Sequence, residues 1–132
     1  MADTMQFDLV SPERRLASLE AREVRIPGAD GDLTAMPDHA PVITTLRPGI
    51  LSVVTASGTQ DFAVTGGFAE ITPAGASVLA ERAVPRAEMT AADADAPIAE
   101  ASREAAAASA AGKDVADKLV ADLQALKSAL GI

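Results

Sequence analysis

Cysteine, tryptophan and tyrosine are absent from this chain of 132 residues, and only three phenylalanines and one histidine are present. Without cysteine there can be no disulfide, no thiolate metal site and no thiol nucleophile, and the composition is compatible with a reducing compartment. A single histidine also leaves too few nitrogen ligands for an ordinary zinc site. These absences remove several common classes of enzyme and metalloprotein before any motif is considered.

Positive charge is scarce as well. The chain has 19 acidic and 11 basic side chains, which gives a formal net charge of −8. A field of that sign repels phosphates, and the chain lacks the aromatic rings on which single-stranded bases stack, so we expect no nucleic-acid partner. No apolar run approaches the roughly 20 residues of a membrane-spanning helix, and the first residues lack the pattern of a signal peptide. We therefore expect no direct insertion into a membrane.

Residues 1–86 have the pattern of an antiparallel β protein. Short runs alternate between apolar and polar residues and are separated by Gly, Pro and Asp pairs that favour tight turns. In EVRIP, for example, Val24 and Ile26 would point inward and Arg25 outward. The runs are QFDLV at 6–10, EVRIP at 23–27, GILSVV at 49–54, DFAVT at 61–65, FAEIT at 68–72 and SVLAE at 77–81. Their spacing predicts a β sandwich or barrel.

Residues 87–132 are rich in alanine, with 12 alanines between positions 91 and 111. This segment predicts a helix at about 95–111, capped by Asp93 or Asp95, with Pro97 in its first turn and Gly112 at its end. A second helix is expected at about 114–131. One face of this helix is apolar and should pack against the first helix; it consists of Val115, Leu119, Leu123, Leu126 and Leu130. The sequence thus predicts an α+β protein, a β sandwich followed by a helical hairpin.

The most polar stretch runs from 30 to 49 and contains three carboxylates and the only histidine. A metal site would need three or four converging donors, and a calcium loop would need a closing glutamate that this stretch lacks. No serine lies in a Gly-x-Ser-x-Gly elbow, and no glycine-rich phosphate-binding motif occurs. We therefore predict turns with an exposed surface here, no bound metal and no catalytic residues.

Six motifs occur in a characteristic order: LVSPE at 9–13, PGADGDL at 27–33, PDHAP at 37–41, LRPG at 46–49, GGFAEI at 66–71 and VLAE at 78–81. In order and spacing they resemble the epsilon subunit of bacterial F-type ATP synthases over roughly residues 5–86. The helical tail also has the kind and length found in that family. The resemblance implies a ten-stranded β sandwich, an α-helical hairpin and a non-catalytic subunit.

The resemblance also implies a place in a larger complex. Epsilon subunits lie in the central stalk, contact the gamma subunit and the ring of c subunits, and help to couple proton translocation to ATP synthesis. A peripheral position at the cytoplasmic face of the bacterial inner membrane is implied as well. In the family, the loops that match Gly31, Asp32, Asp38 and His39 lie at the end of the sandwich that faces the c-ring, so these residues are expected to share one rim.

The hairpin of family members folds against the sandwich or extends toward the alpha/beta catalytic head, where it restrains ATP hydrolysis through basic residues. This hairpin has only four cations, so we expect weak inhibition at most; they are Arg103, Lys113, Lys118 and Lys127. Many members bind ATP through an acidic and a basic residue near the start of the first helix. Only a gapped reading keeps that spacing here, on Glu100 and Arg103, with Glu in place of Asp. These two residues are the candidate ATP contacts, but regulatory ATP has little support and no cofactor is required.

An independent β-sandwich binding module with an oligomerising alanine-rich tail is the alternative interpretation. Such a module would self-associate in the absence of any synthase component. An epsilon subunit would instead bind tightly to a gamma partner.

Overall fold

A computed structural model describes residues 4–132, which form ten strands, one short 3-10 helix and two α-helices. The strands are β1 (Met5–Val10), β2 (Arg15–Ala21), β3 (Glu23–Gly28), β4 (Gly31–Ala35), β5 (Val42–Thr45), β6 (Gly49–Thr55), β7 (Gly58–Val64), β8 (Gly67–Thr72), β9 (Gly75–Ala80) and β10 (Ala83–Pro85). The 3-10 helix spans Arg86–Glu88, and the α-helices are α1 (Ala91–Ala107) and α2 (Lys113–Leu130).

The strands form two five-stranded sheets. The first sheet has the order β2-β1-β9-β8-β5, and the second has the order β10-β7-β6-β3-β4. Strands β1 and β9 are parallel, and every other neighbouring pair is antiparallel. The predicted fold class, a ten-stranded sandwich followed by a helical hairpin, is therefore confirmed, with one parallel pairing in an otherwise antiparallel arrangement.

Two-residue alternation along the strands builds the core. In β1, Met5, Phe7 and Leu9 are buried between the sheets, while Gln6 is exposed on the outer face. Both sheets contribute to the buried layer, and each large apolar side chain removed from water stabilises the fold by about 1.5–3 kcal/mol. The largest fully buried side chains are Phe7, Leu9, Val24, Ile26, Leu51, Val53, Val64, Ile71 and Val78.

Helix α1 begins and ends about four residues earlier than the alanine content predicts. Its N-cap is Thr90, not Asp93 or Asp95, because Thr90 and Asp93 form a capping box. The Asp93 N–H donates to Thr90 Oγ1 at 3.2 Å, and the Thr90 N–H donates to Asp93 Oδ2 at 3.1 Å. Two backbone N–H groups that would otherwise lack partners in the helix thus donate to side-chain oxygens, which fixes the start of the helix.

The early start changes the roles of two residues. Pro97 lies inside α1 and not in its first turn, so one backbone hydrogen bond of the helix is missing there. Gly112 is the N-cap of α2 and not the end of α1, which stops at Ala107. Lys113 Nζ donates to the Ala105 carbonyl at 3.3 Å, so the start of α2 supplies a cation to the end of α1.

The predicted apolar face of α2 is only partly used. Leu123 and Leu126 are buried, and Leu130 is half-buried. Val115 is 76% exposed, contrary to the expectation that it packs in the hairpin, whereas Leu119 is 36% exposed and borders a cavity together with Ala101 of α1. Because α1 ends earlier than predicted, and because it offers mainly alanine, little of it is available to cover the first turns of α2.

Replacing Gly67 with alanine should destabilise the sandwich by at least about 2 kcal/mol. Gly67 has φ 113°, and a Cβ at this position would lie 2.0 Å from the Leu79 carbonyl oxygen and 2.8 Å from Ala80 Cα, both of which are backbone atoms of β9. Denaturant unfolding of Gly67→Ala measures the loss. The matched control is Gly112→Ala, where no atom lies within 4 Å of the added Cβ; equal effects of both substitutions would contradict the steric argument.

The capping box makes the start of α1 sensitive to acid. Hydrogen bonds from the Thr90 backbone and then from its side chain hold the pKa of Asp93 below the ordinary value of 3.8. A carboxylate with a lowered folded pKa stabilises the fold above its ordinary pKa, and this stabilisation is lost as pH falls through the folded value. A carbon-detected NMR titration should show Asp93 titrating below 3.8, and Thr90→Ala should move the midpoint upward. A midpoint at or above the ordinary value in the unsubstituted chain would refute this.

Candidate interaction surfaces

The turn between β3 and β4 carries two of the predicted rim residues. Gly31 has φ 140°, which glycine readily adopts, and the Asp32 side chain is 78% exposed. Arg47 holds this turn from a neighbouring loop. Its Nη1 donates to the Gly28 carbonyl at 2.6 Å, and its Nη2 pairs with the Asp32 carboxylate. The guanidinium therefore fixes the turn while the carboxylate stays largely in water.

The loop between β4 and β5 carries the other two predicted rim residues. Asp38 has φ 64°, and its N–H donates to the Pro73 carbonyl at 3.1 Å. The His39 N–H donates to the Met36 carbonyl at 3.2 Å. His39 Nδ1 lies 2.6 Å from the Ala40 carbonyl oxygen, and because a carbonyl only accepts, Nδ1 carries the proton. The two residues shape a turn.

These two loops lie at opposite ends of the sandwich. Strand β4 begins at Gly31 and ends at Ala35, and five extended residues span about 16 Å. Gly31 and Asp32 are therefore at one end, and Asp38 and His39 are beyond the other. The expectation that all four share one rim is wrong, because the strand between them runs along the sandwich.

Two arrangements are not found among residues 4–132. No three His, Asp or Glu side chains are close enough together to hold a metal ion. No helix in the same residues is both long enough and apolar enough to cross a membrane. The carboxylates of the polar stretch instead occupy the separate surface positions described above.

An apolar row crosses the outer face of the first sheet. Val10 pairs with Leu79, and Leu79 pairs with Phe68; directly paired residues project from the same face of a sheet. Ile43, on the edge strand, pairs with Glu70, two residues from Phe68, and therefore also faces outward. Phe68 is 42% exposed, Leu79 48% and Ile43 73%. We call Val10, Ile43, Phe68 and Leu79 the apolar row; in the described part of the chain the last three side chains remain open to solvent, and Val10 is half-buried.

The apolar row adjoins two other features. A groove of about 410 Å³ lies beside it and is bordered by Pro12, Phe68 and Leu79. The row is also close to the Gly31 turn, because the Ala29 N–H donates to the Thr45 carbonyl at 2.8 Å and Thr45 pairs with Phe68. A partner seated on the row would therefore reach the Asp32 end of the sandwich.

Sequence reasoning did not identify the apolar row, although a signal for it was present. In FAEIT, Phe68 has the same strand parity as Glu70, and in SVLAE, Leu79 has the same parity as Ser77. A large apolar residue at a position that alternation assigns to solvent indicates a contact surface. Alternation identifies the strands, but the surface becomes visible only from the large apolar residues at outward-facing positions of those strands.

The hairpin covers the opposite side of the molecule. Helix α2 contacts β6 in the second sheet. Ala63, in β7, is 2% exposed although it lies outside the sandwich core, and it borders a small cavity together with Met89 and Pro97. On the helical side the buried residues are Ala94, Ala101, Ala105, Leu123 and Leu126. The hairpin is thus folded onto the outer face of the second sheet, away from the apolar row.

Of the two candidate ATP contacts, one borders the cavity between the hairpin and the sandwich. Glu100 borders a cavity of about 220 Å³ between the hairpin and the sandwich, whereas Arg103 does not. Glu81, Glu104 and Arg82 also border it, so three carboxylates face a single guanidinium. That charge balance disfavours a polyphosphate. The geometry therefore gives no support to ATP binding through Glu100 and Arg103.

Most hairpin cations are paired within the hairpin. In residues 4–132, Arg103 has no carboxylate within 4 Å, while each lysine has one. The three pairs are Lys113–Asp117 at 3.2 Å, Lys118–Asp122 at 2.6 Å and Lys127–Asp95 at 2.5 Å. The docked hairpin therefore presents little free positive charge.

Comparison with solved structures shows the same fold elsewhere. A chain in the mitochondrial ATP synthase of Euglena gracilis, in an assembly of OSCP, F1 and c-ring, superposes with a TM-score of 0.76 at 19% identity and covers 98% of this chain and 83% of its own. A chain in the central stalk and c-ring of the Tetrahymena thermophila mitochondrial ATP synthase gives a TM-score of 0.56 at 19% identity, with coverage of 66% and 70%. At this identity the likeness concerns the fold alone.

Comparison of sequences is more specific. The family model of the ATP synthase delta/epsilon chain β-sandwich domain matches residues 4–86. The ATP synthase epsilon chain of Rhodobacter capsulatus is 61% identical over 132 residues, which is 100% of both chains, and that of Fuscovulum blasticum is 63% identical over 131 residues, 99% of both. This chain therefore belongs to the family of ATP synthase epsilon chains, the non-catalytic central-stalk subunits of F-type ATP synthases.

Proposed function

We propose that the chain binds the gamma subunit through the apolar row and the c-ring through the Gly31 turn, and so helps to couple proton translocation to ATP synthesis. It would act as a peripheral protein at the cytoplasmic face of the bacterial inner membrane. The observation that carries the proposal is the apolar row, a contiguous set of large apolar side chains on an outer sheet face that the hairpin does not cover.

The apolar row has the composition expected of a protein interface. Burying one of these side chains against a partner contributes about 1.5–3 kcal/mol to the binding free energy. Aromatic side chains that pack into a pocket at an interface commonly make the largest contributions. Phe68 has both properties, since it is half-exposed and borders the groove beside Pro12. A second subunit of the stalk is the partner that family membership indicates for such a surface.

The Gly31 turn is the better candidate for the ring contact. Its exposed Asp32 is held by Arg47, so it offers a carboxylate at a fixed position. It also adjoins the apolar row, so a gamma subunit seated there and the ring beneath it could be contacted together. Asp38 and His39 lie at the far end of the sandwich and are not part of this proposed ring contact.

The hairpin is proposed to have a minor role at the alpha/beta catalytic head. Its lysines already have carboxylate partners in the docked position, which leaves Arg103 as the cation without a partner in residues 4–132. We therefore propose at most weak restraint of ATP hydrolysis. With three carboxylates at the hairpin cavity, we also propose that no regulatory ATP is held by Glu100 and Arg103.

The substitution Phe68→Ala should weaken binding to the gamma subunit by about 30-fold, because it removes roughly 2 kcal/mol of apolar burial at the interface. Titration of purified gamma with the full chain measures the dissociation constant. The sandwich itself should keep its stability, since Phe68 points away from the core.

The matched control is Val115→Ala, which truncates an even more exposed apolar residue on the hairpin. It should leave gamma binding unchanged. If Phe68→Ala binds gamma as tightly as the unsubstituted chain, the apolar row is not the gamma site. Concentration-dependent self-association that Phe68→Ala abolishes would favour the independent binding module.

Single cysteines can distinguish the two ends of the sandwich, because the natural chain has none. Asp32→Cys and His39→Cys are each labelled with a short photoactivated cross-linker and assembled into the synthase. Asp32→Cys should form an adduct with subunit c, and His39→Cys should not. Adducts with subunit c at position 39 alone would place the opposite end against the ring and overturn this part of the proposal.

A further inference from the structure

Arg86 stands at the junction between the two halves of the molecule. It follows β10 directly and begins the 3-10 helix that leads to α1. Its guanidinium contacts both halves: Nη1 donates to Asp61 Oδ2 at 3.2 Å, and Nη2 donates to the Ala129 carbonyl at 3.0 Å. One side chain thus joins the second sheet to the last turn of α2.

The sandwich side of this bridge is held in place. Asp61 lies on the outer face of β7, and its side chain is 27% exposed. Ser52, its cross-strand partner in β6, donates from Oγ to Asp61 Oδ1 at 2.8 Å. The two carboxylate oxygens therefore have different partners, so the carboxylate orients the Arg86 guanidinium. A planar guanidinium held in this way is well suited to carry a second hydrogen bond in a fixed direction.

The helical side of the bridge is a helix C-terminus. The last carbonyls of a helix lack partners within it and carry partial negative charge, so a cation there is favourable. Lys127 is the basic residue of the last turn of α2, but its Nζ lies 2.5 Å from Asp95 of α1. That pair joins the two helices to each other. Arg86 joins them to the sandwich.

Besides Arg86, this end of the hairpin offers the half-buried Leu130, which borders a groove together with Phe62 and Pro85. The face of α1 that is buried consists of alanines, and α2 contributes two buried leucines. Small side chains bury little apolar area, so a charged hydrogen bond is a sizeable part of the docking energy. We propose that Arg86 is a latch that holds the C-terminal end of α2 on the sandwich and sets the fraction of molecules with a docked hairpin. This latch is independent of the gamma and c-ring contacts proposed above.

Hydrogen exchange of the isolated full chain tests the latch. In Arg86→Ala, amides of residues 113–130 should exchange about three- to tenfold faster. The expected factor is smaller than for a buried charged hydrogen bond, because the Arg86 side chain is 43% exposed and solvent screens its charge. Amides of β6 and β8 should keep their rates. Asp61→Asn should give a smaller change in the same segment, and Arg86→Lys should fall between Arg86→Ala and the unsubstituted chain, because an ammonium cannot form the planar two-sided bridge.

The control is Arg103→Ala, which removes a hairpin cation that has no carboxylate within 4 Å in residues 4–132. It should leave exchange in residues 113–130 unchanged. If Arg86→Ala exchanges like Arg103→Ala, the latch is refuted. The latch is equally refuted if amide exchange becomes faster by the same factor in the strands and in the hairpin. Arg86 would then stabilise the whole fold and not specifically the docked position of the hairpin. Neither result bears on gamma binding, which is measured separately.

Discussion

Strict alternation along the strands is the constraint on which the rest of the molecule depends. Each strand must give one set of side chains to the layer between the sheets, and the remaining set then faces outward. On the first sheet the outward set includes the apolar row, whereas on the second sheet it includes the small Ala63 that lies under the hairpin. Because the inward-facing residues of both sheets are committed to the shared core, only the outward-facing residues can differ in role. Those of the first sheet include an exposed apolar surface, and some of those of the second sheet lie under the hairpin.

Small side chains determine how the hairpin sits on the second sheet. Alanines on α1 and Ala63 on β7 allow a close approach of helix and sheet, but each contributes little buried area. Polar contacts consequently matter more here than in the sandwich core, where large apolar side chains dominate. The hairpin lysines form ion pairs with nearby carboxylates, and Arg86 forms the hydrogen-bonded bridge to the sandwich.

Alternation and composition predicted the fold class well, and they failed where local signals compete. Six strands and the change to helix near residue 86 follow from the sequence pattern, but β2, β10 and the two strands β4 and β5 within the stretch predicted as turns do not. The β2 sequence RLASLEA has apolar residues at spacings compatible with either a helix or a strand. The segment adopts the strand conformation because it pairs with β1. The capping box at Thr90 outweighed the preference for a later helix start. The separation of Asp32 from His39 depends on the path of β4, which turn residues alone do not reveal.

The single parallel pairing, between β1 and β9, has a consequence for how the chain folds. It joins residues 6–10 to residues 75–79, so the first strand has one of its two neighbours almost at the end of the sandwich sequence. Contacts so distant along the chain carry a large closure entropy and slow folding. On a ribosome, β1 and β2 can form a hairpin early, but the first sheet cannot be completed until β9 has emerged. The sandwich thus matures late, as a unit, when the helical segment is about to follow it out of the exit tunnel.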